Sequence, residues 1–309
     1  MKKLFVTKAP LMVFLVVLLS LAGIASAGAP LPFHNVEGNS GVFITSTAYL
    51  TNPPEKDKVF GLPSLSASFA AIGKKDFQSF AVTQNIYGRI ELGYALERIG
   101  LGDWPDDVRD ATGGLHVENH AIMHNFNARL MVIEEGGFNC QWMPAVTIGA
   151  HFKWNETLND IDRQLGGTCD MLGADHSRGV EFTAVASKTI TGLLPNPLIV
   201  SAGIRNGDAI HTGLLGFAGE RRTTFEGSLI YFLTDRLLFA TEYRQKSDLI
   251  DQISMGGKHL IKAENDWWDI CLGYIVNDHM TVAVGYANFG NVLNHREENV
   301  WAVQVKYEF

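Results

Sequence analysis

Apolar and polar residues alternate along much of this chain, most regularly at its end. Between Asn299 and Phe309, Trp301, Val303, Val305, Tyr307 and Phe309 fall on one face, and Ala302, Gln304, Lys306 and Glu308 on the other. A period of two is that of a β-strand with one apolar and one polar face. Alternation by itself leaves two architectures open. A soluble sandwich turns the apolar face inward, whereas a membrane barrel turns it to lipid and keeps the polar face in the lumen.

A second regularity is internal. A short turn followed by an alternating strand recurs at Leu233-Thr234-Asp235-Arg236-Leu237 before Tyr243, at Val276-Asn277-Asp278-His279-Met280 before Tyr286 and at Leu194-Pro195-Asn196-Pro197-Leu198 before Ile204; Asn85 to Arg89 before Tyr94 is a weaker copy. Asx, Gly and Pro favour tight hairpin turns, so the repeats predict a meander of sequential hairpins. Twelve strands are predicted, over residues 64–73, 77–84, 88–99, 121–134, 142–154, 179–191, 197–206, 222–233, 236–246, 266–277, 279–289 and 299–309. Connections at 85–87, 135–141, 192–196, 234–235 and 278 are short. Those at 100–120, 155–178, 207–221, 247–265 and 290–298 are longer and rich in Gly, Asp, Asn and His.

An even strand count and the sorting of short turns against long loops favour a transmembrane barrel. A sandwich has no reason to sort its loops this way. The expected fold is therefore all-β, a closed antiparallel up-and-down transmembrane β-barrel over residues 64–309. Its lipid faces read as Ile90, Leu92, Tyr94 and Leu96; Val146, Ile148, Ala150, Phe152 and Trp154; Phe225, Leu229, Tyr231 and Leu233; Trp268, Ile270, Leu272, Tyr274 and Val276; and Met280, Val282, Val284 and Tyr286.

The start of the chain falls outside this count. Lys2, Lys3 and Lys8, the apolar run Leu11 to Ala22 broken only by Ser20, and Ala25-Ser26-Ala27 form a signal-peptide pattern, so residues 1–27 are expected to be removed before Gly28. No Cys follows that site, so a lipid anchor is not indicated, and no later run of 18 apolar residues suggests a spanning helix. Residues 28–63, with Pro53-Pro54 and a strand-like run at Val42 to Leu50, read as a periplasmic segment or a partial plug.

Charge and cysteine add limits. Removing the three leader lysines takes the formal charge from −8 to −11, which argues against a nucleic-acid partner. Cys140, Cys169 and Cys271 are an odd number, and the topology puts Cys140 in a short turn and Cys169 in a long loop at the opposite end.

The face opposite the lipid carries Glu91, Glu97, Arg129, His151, Lys153, Glu181, Arg205, Glu226, Glu242, Arg244, Asp269, Lys306 and Glu308. Charges this dense require water or ion pairing, so the lumen is either a water-filled channel or a plug of ion pairs. Twelve strands enclose more space than the eight that side chains just fill, which favours the channel. Arg129, Lys153, Arg205, Glu226, Glu242 and Arg244 are the residues expected to line it electrostatically. The acidic excess leans toward cations.

Two rim features suggest other chemistry. His116, Glu118, His120 and His124 share an even spacing suited to a metal, although solvated interface histidines fit the same spacing. Asp208 and His211 sit together in the loop Asn206 to Gly213, where a rim enzyme would place such groups. No motif marks a nucleophile, phosphate loop or dinucleotide site, and nothing implies a cofactor. The apolar, glycine-rich run Gly213 to Gly219 reads as a mobile loop folded into the mouth.

The alternating strand ending in Tyr307 and Phe309 resembles the C-terminal signal of Gram-negative outer-membrane proteins, which implies handling by the barrel-assembly machinery and an outer-membrane lipid environment. The stretches Gly207 to Thr224 and Ile90 to Pro105 resemble a family of uncharacterised Gram-negative outer-membrane proteins known as a domain of unknown function. That resemblance implies location and architecture, not activity. The expectation carried forward is a porin-like channel for a small solute, against a rim enzyme or metal site, or a non-conducting barrel that holds a partner.

Overall fold

A computed structural model describes residues 33–169, 173–250 and 252–309; the expected signal peptide lies outside them. Twelve antiparallel strands close into one barrel. They are β1 (Ser64–Ile72), β2 (Lys75–Ile86), β3 (Ile90–Gly100), β4 (His120–Ile133), β5 (Ala145–Asn155), β6 (Arg178–Ile190), β7 (Leu198–Ala209), β8 (Phe217–Phe232), β9 (Leu237–Arg244), β10 (Trp267–Ile275), β11 (Met280–Asn288) and β12 (Val300–Glu308). Each pairs with its neighbours in sequence. Closure comes from β12 on β1, from Val300 opposite Ile72 to Glu308 opposite Ser64. Without a free edge, every strand satisfies its backbone within the wall, as a lipid environment demands.

All twelve expected strands are present, and their deviations have local causes. The first hairpin turns in two residues, with Ile72 opposite Lys75 and Gly73 supplying a positive φ of 57°. The loop expected at 207–221 is shorter: β8 begins at Phe217, which pairs with Ala209 before a bulge leads to Arg222. Two expected loops contain helices. The first, α1 (Trp104–Thr112), has Pro at its start, Asp106 and Asp107 in its first turn and a left-handed Gly113 at its end. The second, α2 (Leu158–Gln164), follows β5. Both lie with the long connections at one end of the barrel, the loop end.

The outer surface is an apolar belt that includes Phe80, Leu92, Phe126, Ile148, Phe152, Phe182, Ile204, Phe225, Leu272, Val284 and Val303, all exposed. Aromatic groups gather at its margins. Near the loop end, Tyr286 packs on Trp268 and Trp301 at ring separations of 6.2 and 5.3 Å. At the other margin Tyr307 packs on Phe309 at 4.9 Å. Cys140 is exposed, and Cys169 and Cys271 are buried.

The lumen is occupied. Residues 33–51 lie almost wholly buried inside the barrel, so the strand-like run Val42 to Leu50 joins no wall strand. Its order is a two-residue ribbon, His34–Asn35 on Asn39–Ser40, followed by a compact turn that bridges Gly41 to Ser46. Phe33, Val42, Phe43 and Ile44 pack against Ile199, Ile230, Leu238, Ala240, Trp267, Cys271 and Ala283 of the wall. Small wall residues make room for this segment. A Cβ on Gly93 would stand 1.8 Å from the Gly38 carbonyl oxygen, and one on Gly273 would stand 2.6 Å from the Phe33 ring. Gly93→Val should leave a barrel with normal heat-modifiable gel migration but make residues 33–51 protease-sensitive; equal protection in the variant would contradict this packing.

Candidate functional site

The internal segment is held by charge. Glu37 is fully buried, and three wall cations converge on its carboxylate: Lys153 of β5 at 2.9 Å, Arg205 of β7 at 3.0 Å and Arg244 of β9 at 3.1 Å. The Arg205 approach is a charge contact rather than an aligned hydrogen bond. Arg205 also pairs with Glu181 and Glu226, each at 3.1 Å, and Lys153 contacts Glu181. Strand alternation alone sends these side chains inward.

A second set of contacts runs in the opposite sense, from backbone amides of the segment to wall carboxylates. Glu242 accepts hydrogen bonds from the amides of Phe43, Ile44 and Thr45 at 2.8, 3.1 and 2.6 Å, and from the Thr45 hydroxyl at 2.7 Å. A turn whose successive N–H groups point one way is an anion cradle, here filled by a side chain of the wall. Glu91 accepts from the Ser40 and Thr51 amides at 3.0 and 2.8 Å and pairs with Arg129 at 2.8 Å. Arg129 donates in turn to the carbonyls of Ser40 and Thr47. His34 is fixed by Ser66, Thr83 and Gln304.

Arg129, Lys153, Arg205, Glu226, Glu242 and Arg244 thus all face the lumen, as the alternation predicts. The structure brings them together around residues 33–51 rather than around open water. What sequence reasoning missed is their counterpart, Glu37. An acidic residue between two short polar runs gives no periodic signal, and only its sequence neighbourhood ahead of the barrel marks it.

A second closure lies at the loop end. Residues 210–216 turn sharply into the mouth, with His211 and Thr212 at φ of 44° and 65° and Gly213 and Gly216 at 100° and 94°. Positive φ at a β-branched residue is strained, so the turn persists through its anchors. Lys153 donates to the Thr212 carbonyl at 3.0 Å, and the Asn155 amide donates to those of Gly213 and Leu214 at 3.1 and 2.9 Å. Glu264 accepts from the His211 amide at 3.0 Å and pairs with Lys246 at 3.2 Å. Lys153 therefore joins both closures.

The rim candidates separate. His211 is buried inside, whereas Asp208 points outward toward Arg221 at 3.9 Å, so they form no common site. His124 lies on the outer face, stacked on Trp154 at 5.0 Å, with Nδ1 at 2.9 Å from the Tyr94 hydroxyl and Nε2 at 3.1 Å from Glu156. Both of its nitrogens are engaged. His120 is bonded to Asn119 and Glu118 to Gln164. Among the described residues no three His, Cys, Asp or Glu side chains are grouped to hold a metal.

Two expectations follow. Glu37→Gln removes the carboxylate that three buried cations share and leaves Arg244 without an ion-pair partner among the described residues; removing one partner of such a cluster costs about 3–5 kcal/mol. Amide exchange over residues 33–51 should then accelerate by about two to four orders of magnitude, and unchanged protection would refute the assignment. Acid should loosen residues 210–216. Burial holds the His211 imidazole below its ordinary value, with Lys246 and Lys75 acting the same way against Glu264 and Asp248. A released His211 takes up a proton near pH ~6.5 that the buried ring resists. The closed turn therefore keeps its full stability above that range and loses it as pH falls through it. Exchange over 210–216, corrected for its intrinsic pH dependence, should rise from pH 7.5 to 5.5, and His211→Gln should remove the rise.

Comparison with known proteins adds a family. Solved structures similar to this chain include a KdgM porin in complex with disordered oligogalacturonate (9% identity, 80% of this chain and 99% of that one, TM-score 0.47). A NanC porin (8%, 80% and 98%, 0.46) and the Acinetobacter baumannii outer membrane protein Omp33 (6%, 81% and 99%, 0.46) are similar to a comparable degree. No curated protein matches the sequence. Residues 32–306, spanning the internal segment and nearly all of the barrel, match the family described as "Protein of unknown function (DUF3034)", and the chain belongs to that family.

Proposed function

We propose that this chain is a porin-like channel of the bacterial outer membrane, closed in the resting state by its own residues 33–51 and passing a small solute passively when that segment leaves the lumen. The observation that carries the reading is the kind of contact that fills the barrel. The segment is a separate stretch of chain ahead of β1, held by ion pairs and amide-to-carboxylate hydrogen bonds. Water can replace each of these. A wall lined by Arg129, Lys153, Arg205, Arg244, Glu91, Glu181, Glu226 and Glu242 is solvated readily once the segment withdraws, whereas a lumen built only as a solid pin has no need of such groups. His151, buried 4.0 Å from Glu37 with no hydrogen bond to either ring nitrogen, belongs to the same polar wall.

The outer-membrane setting is supported by the apolar belt, by its aromatic margins and by the leader-like start of the chain. Phe309, packed on Tyr307 at the end of β12, is the feature through which the assembly machinery would engage the C-terminal strand.

Planar-bilayer recording tests the reading. The mature chain should be closed for most of the record, and a variant lacking residues 33–51 should give steady conductance steps. In that variant, Arg205→Glu with Arg244→Glu should shift the reversal potential toward cation selectivity. A folded deletion variant that stays silent would overturn the proposal in favour of a non-conducting barrel.

A further inference from the structure

The loop end contains an apolar chamber that the plugged channel does not require. Helices α1 and α2, the hairpin around residues 253–261 and the turn at 210–216 enclose a cavity of about 310 Å³. Its walls include Trp104, Val108, Ile161, Leu165, Leu214 and Leu260. The polar groups on its lining are already committed to the protein. The Thr112 hydroxyl donates to the Val108 carbonyl at 2.7 Å, the Thr168 hydroxyl to that of Leu165 at 3.2 Å and the Trp104 indole N–H to that of Leu260 at 2.9 Å.

The charged groups of this region lie elsewhere. Lys258 bridges Asp107 and Asp110 at 2.7 and 2.8 Å, clamping the hairpin onto α1, and none of the three lines the chamber. The mouth is marked by Leu115 and Met255, which line the chamber yet are 41% and 50% exposed. These two side chains carry the apolar lining out to the surface.

Below the chamber lies a second apolar cavity of about 70 Å³, bounded by Phe43, Ile44, Phe77, Trp267 and Phe289. Leu214 lines both. It sits between Gly213 and Gly216, in the strained turn that caps the lumen. Leu214, on a turn rich in positive φ, is thus the residue that the two linings share.

We propose that the outer chamber is a binding site for a small, neutral, apolar molecule of about two fused rings, captured at the loop end and separated from the lumen by Leu214. An apolar cavity of ~150 Å³ takes up benzene and stays dry, and the chamber here is about twice that size. Water needs two to four polar partners to settle in such a space, and a charged or sugar-like ligand would lose its hydration without compensation. This assignment names the solute class of the passage proposed above. It rests on that reading for the direction of travel, and binding itself stands apart from it.

The test uses 1-bromonaphthalene, whose heavy atom quenches a tryptophan in contact with it. The refolded mature chain in phosphatidylcholine nanodiscs is titrated against protein-free nanodiscs, and Trp104→Phe identifies the signal. Saturable quenching that disappears in Trp104→Phe supports the site. Ala174→Phe, which fills the chamber, and Leu165→Glu, which places a carboxylate in its wall, should each weaken binding at least tenfold. Heat-modifiable migration certifies that both variants are folded. Non-saturable quenching equal to that of Trp104→Phe, or unaltered affinity in both wall variants, overturns the proposal. Saturable glucose binding at the same site overturns it as well. Binding that passes these tests in a chain that never conducts would retain the site and remove the passage.

Discussion

A single buried carboxylate, Glu37, is the contact on which the closed lumen depends. Three cations from three strands, Lys153, Arg205 and Arg244, reach it within 3.1 Å, and it shares with Glu181 and Glu226 the balancing of their buried charge. Around this centre the arrangement is reciprocal. The internal segment gives the wall a negative side chain and takes wall carboxylates onto its own amides, with Glu242 on residues 43–45 and Glu91 on Ser40 and Thr51. Charge-assisted hydrogen bonds contribute about 1.5–3 kcal/mol each, so many such contacts over nineteen residues specify one position inside the barrel. Aromatic residues of the segment set its orientation by packing where the wall carries glycine or alanine.

The barrel was legible because its physics is periodic. Trp301, Val303 and Val305 against Ala302, Gln304 and Lys306 state the two environments of β12 directly, and every strand inherits the same rule. Misplaced boundaries fall where pairing continues beyond alternation, as at Phe217, whose ring packs over Gly179 and extends β8 into an expected loop. The helix α1 was readable in principle, since Pro105, Asp106, Asp107 and Gly113 are start and stop signals. Its location between two strands drew attention to loop composition instead.

The candidate site was half legible. Alternation gave the direction of Arg129, Lys153, Arg205, Glu226, Glu242 and Arg244 but not their partners, because a lumen filled by water and one filled by protein place the same demand on the wall. The filling segment lacks a period of its own. Its residues meet different wall strands in turn, so its pattern is the complement of a surface twelve strands wide and not of a single neighbour. The rim alternative was illegible for a related reason. Spacing along the chain brought Asp208 and His211 close, while one residue of alternation followed by a sharp turn put them on opposite sides of the wall.

Under the proposed function, two closures in series would change what an opening signal must accomplish. Lys153 contacts Glu37 of the internal segment and the Thr212 carbonyl of the cap, so the two closures share one buried ammonium. A solute shifts such an equilibrium only by binding the open arrangement more tightly than the closed one. The cap turn is suited to that role because two non-glycine residues hold it at positive φ, so part of the cost of opening is already present as strain. Glu264, on which the cap amide rests, lies between His211 and Lys246 on the loop side of the barrel.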